Sequence, residues 1–162
     1  MIRQDRFLLL ILGGIVVVVA LALGLFFARQ AGPVYGPEDT PQGVLQNYIV
    51  ALSRGELDRA FRYVAGPPGT QSSNVPNLAD FRQFFLTEVS GQLPNTGLQI
   101  GQVVFQEADT ITLSVTVLHT SGSLFDSVGR EMQQVQLVRQ AGAWKITQAP
   151  YPFWSYAWQS TR

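Results

Sequence analysis

The chain has 162 residues, 46% of them hydrophobic and 14% charged, with 11 basic residues balanced by 11 acidic ones and a single histidine. Soluble proteins carry about 25% charged residues, so part of this chain is expected to lie outside water, and there is no basic excess of the kind that holds nucleic acid. The absence of cysteine excludes disulfides, thiolate metal centres and a lipoprotein.

The first predicted element is an uncharged run of 22 residues, Phe7–Ala28, FLLLILGGIVVVVALALGLFFA. About 20 helical residues cross a hydrocarbon layer, so the run predicts one transmembrane helix in an anchor spanning residues 1–29. Arg3 and Arg6 before it, against Arg29 after it, favour a cytoplasmic N-terminus. The remainder is then exported: a single-pass protein of the cell membrane with its domain on the extracytoplasmic side. Ala20-Leu21-Ala22 has the small-x-small form of a cleavage site, but the apolar run exceeds the roughly 7 to 15 residues of a signal peptide and continues past that site. Gly13, Gly14, Ala20 and Gly24 offer small surfaces for helix packing in lipid. Glycine is also common in solitary membrane helices, so both readings stand.

Residues 30–40, QAGPVYGPEDT, carry the Gly and Pro of a linker. As a tether it reaches at most about 35 Å. That holds the following domain close to the lipid bilayer and to other membrane protein subunits. Beyond Gln30 there are 8 basic residues (11 less Arg3, Arg6 and Arg29) and 10 acidic ones (11 less Asp5), a net charge of about −2 that again argues for no nucleic acid.

A domain is expected over residues 41–149. Thr40 and Pro41 are an N-cap and first helical residue, and Leu45, Tyr48, Ile49 and Leu52 recur on one helical stripe that ends near Gly55. Leu57, Ala60, Phe61 and Val64 repeat that spacing in a second, short helix. Residues 65–77 read as a turn-rich loop, after which Leu78, Phe81, Phe84, Phe85 and Val89 predict a third helix. The period then changes to two. Residues 98–107 form a strand, Glu107 to Asp109 a turn, and Ile111, Leu113, Val115, Val117 and His119 one face of the next strand. Two further strands, 131–140 and 143–149, are joined through Gly142, with Trp144 and Ile146 on one face.

This order, closed by the hairpin VQLVRQAGAWKIT with Gly142-Ala143-Trp144-Lys145-Ile146, resembles the NTF2-like superfamily. The resemblance implies an α+β fold in which three helices pack on the concave face of a curved antiparallel sheet. Enzymes of that superfamily place an acid and a His or Tyr inside the cone, whereas other members are binding or association domains, and fold alone does not choose among them. Here His119 is in phase with an apolar strand face, and Tyr48, Tyr63 and Asp80 are its possible company for proton transfer. His119 also stands at a strand end, where solvation is the simpler reading, while Asp58 and Asp80 suit helix ends. One histidine and scattered carboxylates suggest no metal, and neither a phosphate loop nor a nucleophile elbow appears. No cofactor is expected.

The last segment, residues 150–162, holds Tyr151, Phe153, Trp154, Tyr156 and Trp158 beside Pro150 and Pro152. The prolines end the last strand, leaving three readings for the rings: a cap on the domain's own core, a docking surface for a partner protein, or contact with lipid headgroups. Leu124 and Phe125, at a hairpin tip, pose the same choice. The combined expectation is a non-catalytic accessory or assembly subunit of a larger membrane complex, with a respiratory or photosynthetic electron-transfer complex as one host. The alternative is an isomerase-like or dehydratase-like enzyme, or a binder of an unassigned small molecule, using the cone.

Overall fold

The computed structural model describes residues 2–29, 34–65, 77–120 and 129–155, and within the first helix it describes the side chains of residues 11–25. Two compact units are present, Met1–Val34 and Tyr35–Arg162. The first contains the helix α1 (Ile2–Arg29). Among the described residues no helix is long and apolar enough to cross a membrane, so the span expected over Phe7–Ala28 is not found there; residues 11–25 alone fall short of the length that a hydrocarbon layer requires. A methyl group added at Gly13, Gly14 or Gly24 would meet nothing within 4 Å, and Ala20 is likewise exposed.

The second unit starts earlier than residue 41. Gly36 N–H donates to Asn47 Oδ1 at 2.6 Å, and Asn47 Nδ2 returns a bond to Gly36 O at 3.1 Å. Asn47 is fully buried, so these two bonds satisfy its amide and hold the incoming chain. The tether expected over residues 30–40 is therefore shorter, because Tyr35 and its successors belong to the folded unit.

Helix α2 (Pro41–Ser53) begins as its cap predicts, with Thr40 Oγ1 accepting from Gly43 N–H at 3.1 Å. Helix α3 (Leu57–Arg62) stops before Val64. Val64 instead forms a parallel bridge with Ile146, where Ala65 N–H donates to Ile146 O at 2.8 Å and Ile146 N–H to Tyr63 O at 2.7 Å. The outer edge of the last strand is thereby covered, a stronger satisfaction of backbone groups than another helical turn would give. Helix α4 (Leu78–Phe84) is capped by a reciprocal pair, Asn77 Oδ1 with Asp80 N–H and Asn77 Nδ2 with Asp80 Oδ2. It continues as a π-helical turn, Phe85–Val89, rather than as one regular α-helix.

Four strands follow as an antiparallel meander: β1 (Thr96–Gln106), β2 (Thr110–His119), β3 (Gly129–Gln140) and β4 (Ala143–Gln148), in that spatial order. On β2, Ile111, Leu113, Val115 and Val117 are buried while Thr112, Ser114, Thr116 and Leu118 are partly exposed, as the period-two pattern predicts. Cross-strand partners Leu113 and Val135, then Leu137 and Ile146, carry the apolar face across the sheet. Two register shifts interrupt β1 between Ile100 and Phe105, and bulges of this kind bend a strand. At the first, Gln102 N–H donates to Ser114 Oγ and Ser114 Oγ–H returns to Gln102 O. Glycine is needed beside it, since a Cβ on Gly101 would stand 2.9 Å from the Ser114 carbonyl oxygen. Helices α2 and α4 cover the apolar face, and Tyr48, Phe81, Val89, Leu113, Val115, Phe153 and Trp154 share one core. The α+β order of three helices and an antiparallel sheet is the one the NTF2-like resemblance implies.

Candidate functional site

The covered face of the sheet, where a cone would open, is filled by the chain's own tail. After β4, Ala149 and Pro150 are buried, the Tyr151–Pro152 peptide is cis, and Phe153 and Trp154 are 1% and 2% exposed. Tyr48 Oη–H donates to Phe153 O at 2.5 Å across 105 residues of sequence. Burial pushes the Tyr48 phenol far above its ordinary pKa, so it serves as a neutral donor. Of the three readings, Phe153 and Trp154 follow the cap on the domain's own core rather than the partner-binding one: their large apolar area is buried in the interior. Tyr151, half exposed, is the described ring of the tail that faces solvent, where its hydroxyl meets Gln92 Nε2. Tyr156 and Trp158, like Leu124 and Phe125, lie outside the described residues.

The four residues considered for proton transfer go to different partners. His119 is exposed at the end of β2, paired through its backbone with Thr96 and Gly129. Asp80 is engaged by Asn77, Tyr48 by Phe153, and Tyr63 Oη–H donates to Glu38 Oε1 at 2.6 Å. Among the described residues no hydrogen bond joins any two of the four, and no group of three or more metal-ligating side chains is found. Among the described residues, the arrangement brings none of these four together as an acid–base pair. Arg82 Nη2 donates to both carboxylate oxygens of Asp58, at 2.7 and 2.8 Å, on the surface.

A polar cluster, unforeseen from local patterns, surrounds the start of the unit. Tyr35 Oη–H donates to Glu56 at 2.6 Å, and the Arg59 guanidinium lies over the Tyr35 ring at 3.4 Å, with Arg54 at 4.9 Å. Arg59 also approaches Glu38 at 3.6 Å and its Nε donates to Tyr63 Oη at 3.4 Å. Burial first, then the carboxylates of Glu56 and Glu38, raise the pKa of Tyr35 and Tyr63 respectively, while the Tyr63 bond raises that of Arg59. Each shift favours the protonation state that holds the cluster together. A signal for it existed in the sequence: one tyrosine and one glutamate stand among Gly and Pro in VYGPEDT, residues that a free linker does not require.

Beside this cluster a pocket of about 180 Å³ is lined by Glu38, Val44, Arg62, Tyr63, Ala143, Trp144 and Lys145. It sits at the outer edge of β4, apart from the filled covered face. A second exposed feature is apolar: Val103, Val104 and Phe105 are 39, 52 and 50% exposed on β1, an edge strand of the sheet.

No family model and no curated protein matches the chain. Solved structures similar to it include a SEC-C motif containing protein from Rhodopseudomonas palustris, at 11% identity over 77% of this chain and 84% of that one, with a TM-score of 0.47. Another is an NTF2-like protein of unknown function from Shewanella oneidensis, at 14% identity, 64% and 88% coverage and a TM-score of 0.43. A third is an NTF2-like protein with a cystatin-like fold from Novosphingobium aromaticivorans, at 13% identity, 78% and 83% coverage and a TM-score of 0.42.

Proposed function

We propose that this chain is a single-pass membrane protein whose NTF2-like domain acts without catalysis as an accessory or assembly subunit of a larger membrane complex. The anchor part of the reading rests on the 22 uncharged residues of Phe7–Ala28 and their match to bilayer thickness. The observation that carries the interaction part is the burial of Phe153 and Trp154 against Tyr48. A domain whose covered face is filled by its own tail offers its outer surfaces for recognition. The exposed apolar run Val103–Val104–Phe105 on the edge strand β1 suits that role, since exposed apolar patches mark docking surfaces.

The test is isolation of the protein from native membranes in a mild detergent, followed by native mass determination. Stable co-migration with other membrane subunits, lost when Val104 and Phe105 are changed to Glu, is the expected result. Migration alone as a monomer, with α1 absent from the intact mass, would overturn both halves of the proposal.

A further inference from the structure

The pocket at the outer edge of β4 is lined by two basic residues, Arg62 and Lys145. Residues beyond Gln30 sum to about −2, 8 basic against 10 acidic, yet Arg62 and Lys145 converge on this one hollow. Among the described residues neither forms an ion pair. The pocket's single carboxylate, Glu38, is already engaged by Tyr63 at 2.6 Å and by Arg59 at 3.6 Å. Arg62 and Lys145 therefore both line the hollow, and among the described residues neither is ion-paired to a carboxylate of the protein. The Lys145 ammonium is held in place by a bond to Arg62 O, and a lysine has three N–H donors, so two remain for a ligand. The Arg139 guanidinium lies 5.6 Å from the centre of the Trp144 ring.

Tyr63, Val44, Ala143 and Trp144 complete the lining. Trp144 is partly buried and Val44 is 2% exposed. A cavity of about 150 Å³ accommodates a benzene ring, so about 180 Å³ leaves room for a phosphate group and a short carbon skeleton. Two cations match a group that carries up to two negative charges. A phosphate monoester near neutral pH does so, its second pKa being about 6, whereas a carboxylate supplies one.

We propose that this pocket binds a small phosphate monoester, with Arg62 and Lys145 on the phosphate and the carbon skeleton against Trp144 and Val44. Arginine contributes two parallel donors to phosphate oxygens, and lysine acts as a point charge. The site is separate from the filled covered face. It does not depend on membership of a membrane complex, so either proposal can fail without the other.

The experiment uses the full chain in a non-ionic detergent, labelled with 5-fluorotryptophan and titrated with glycerol 3-phosphate while fluorine resonances are recorded. The Trp144 signal is assigned by its loss in Trp144→Phe, and the Trp154 signal reports that the core is intact. A saturable shift at Trp144 is expected, with affinity weakened at least about tenfold by the double change Arg62→Gln and Lys145→Gln, and with propionate and glycerol giving no comparable shift. No shift with glycerol 3-phosphate would overturn the proposal. So would an equal response to propionate, or an unchanged affinity in the double variant with the Trp154 signal still native.

Discussion

At the scale of single residues, the aromatic tail shows how far one side chain's role depends on what it meets. Phe153 and Trp154 are fully enclosed, whereas Tyr151, two and three positions before them, is half exposed. Replacing a large core aromatic by alanine removes its transfer energy and leaves a cavity, so Trp154→Ala is expected to cost about 3–5 kcal/mol of stability. Tyr151→Ala removes one surface bond to Gln92 and is expected to cost under about 1 kcal/mol. Urea denaturation of the full chain in detergent distinguishes them. Equal, small costs for the two changes would mean that Trp154 does not support the core. This distinction could not be made in the sequence, because PYPFWSYAW contains five rings with no periodicity to separate them. What decides is Tyr48, whose hydroxyl reaches Phe153 O from 105 positions away.

At the scale of elements, local patterns were legible wherever the deciding contacts were local. The Thr40 cap, the alternation along β2 and the Gly142 turn were all readable, since each involves neighbours two to four positions apart. The end of α3 was not, because Val64 keeps the helical spacing of Leu57 and Ala60 yet pairs with Ile146 on another element. The π turn at Phe85–Val89 was hidden for the same reason: its apolar residues fit α-helical spacing equally well. The candidate pocket was still less visible, as it draws on Glu38, α2, the end of α3 and β4. The β3–β4 hairpin carries a prediction of its own. Its two-residue turn has φ of 49° at Ala141 and 82° at Gly142, the signs required of a type I′ turn, for which Asn-Gly is the preferred pair. Alanine pays a steric cost in the left-handed region that asparagine tolerates, so Ala141→Asn is expected to stabilise the protein by about 0.5–1 kcal/mol. Thermal unfolding followed by near-ultraviolet circular dichroism would register a higher midpoint, and a lower one would rule out this account of the turn.

At the scale of the whole molecule, three tyrosines link stability to alkaline pH. Tyr48 inside the core, and Tyr35 and Tyr63 in the cluster at the start of the unit, all have pKa values raised in the fold, burial being the largest cause for each. A free tyrosine ionises near about pH 10. Above that value the unfolded chain loses phenolic protons that the folded chain retains, so the unfolded state is stabilised relative to the folded one. The tyrosine contribution is accordingly fully present below about pH 10 and is lost as pH rises through the folded values. Unfolding free energy from urea titrations is expected to fall steadily above about pH 10, in step with the appearance of tyrosinate absorbance. Tyr48→Phe should flatten that slope most, since its phenol is the one displaced furthest and joins the tail to α2. It also leaves the Phe153 carbonyl without its donor, at a cost of about 1–3 kcal/mol that is independent of pH. A wild-type stability unchanged up to about pH 11, or a slope that Tyr48→Phe leaves intact, would mean that the core does not hold the Tyr48 hydroxyl as a neutral donor and that the tail is fastened by its rings alone.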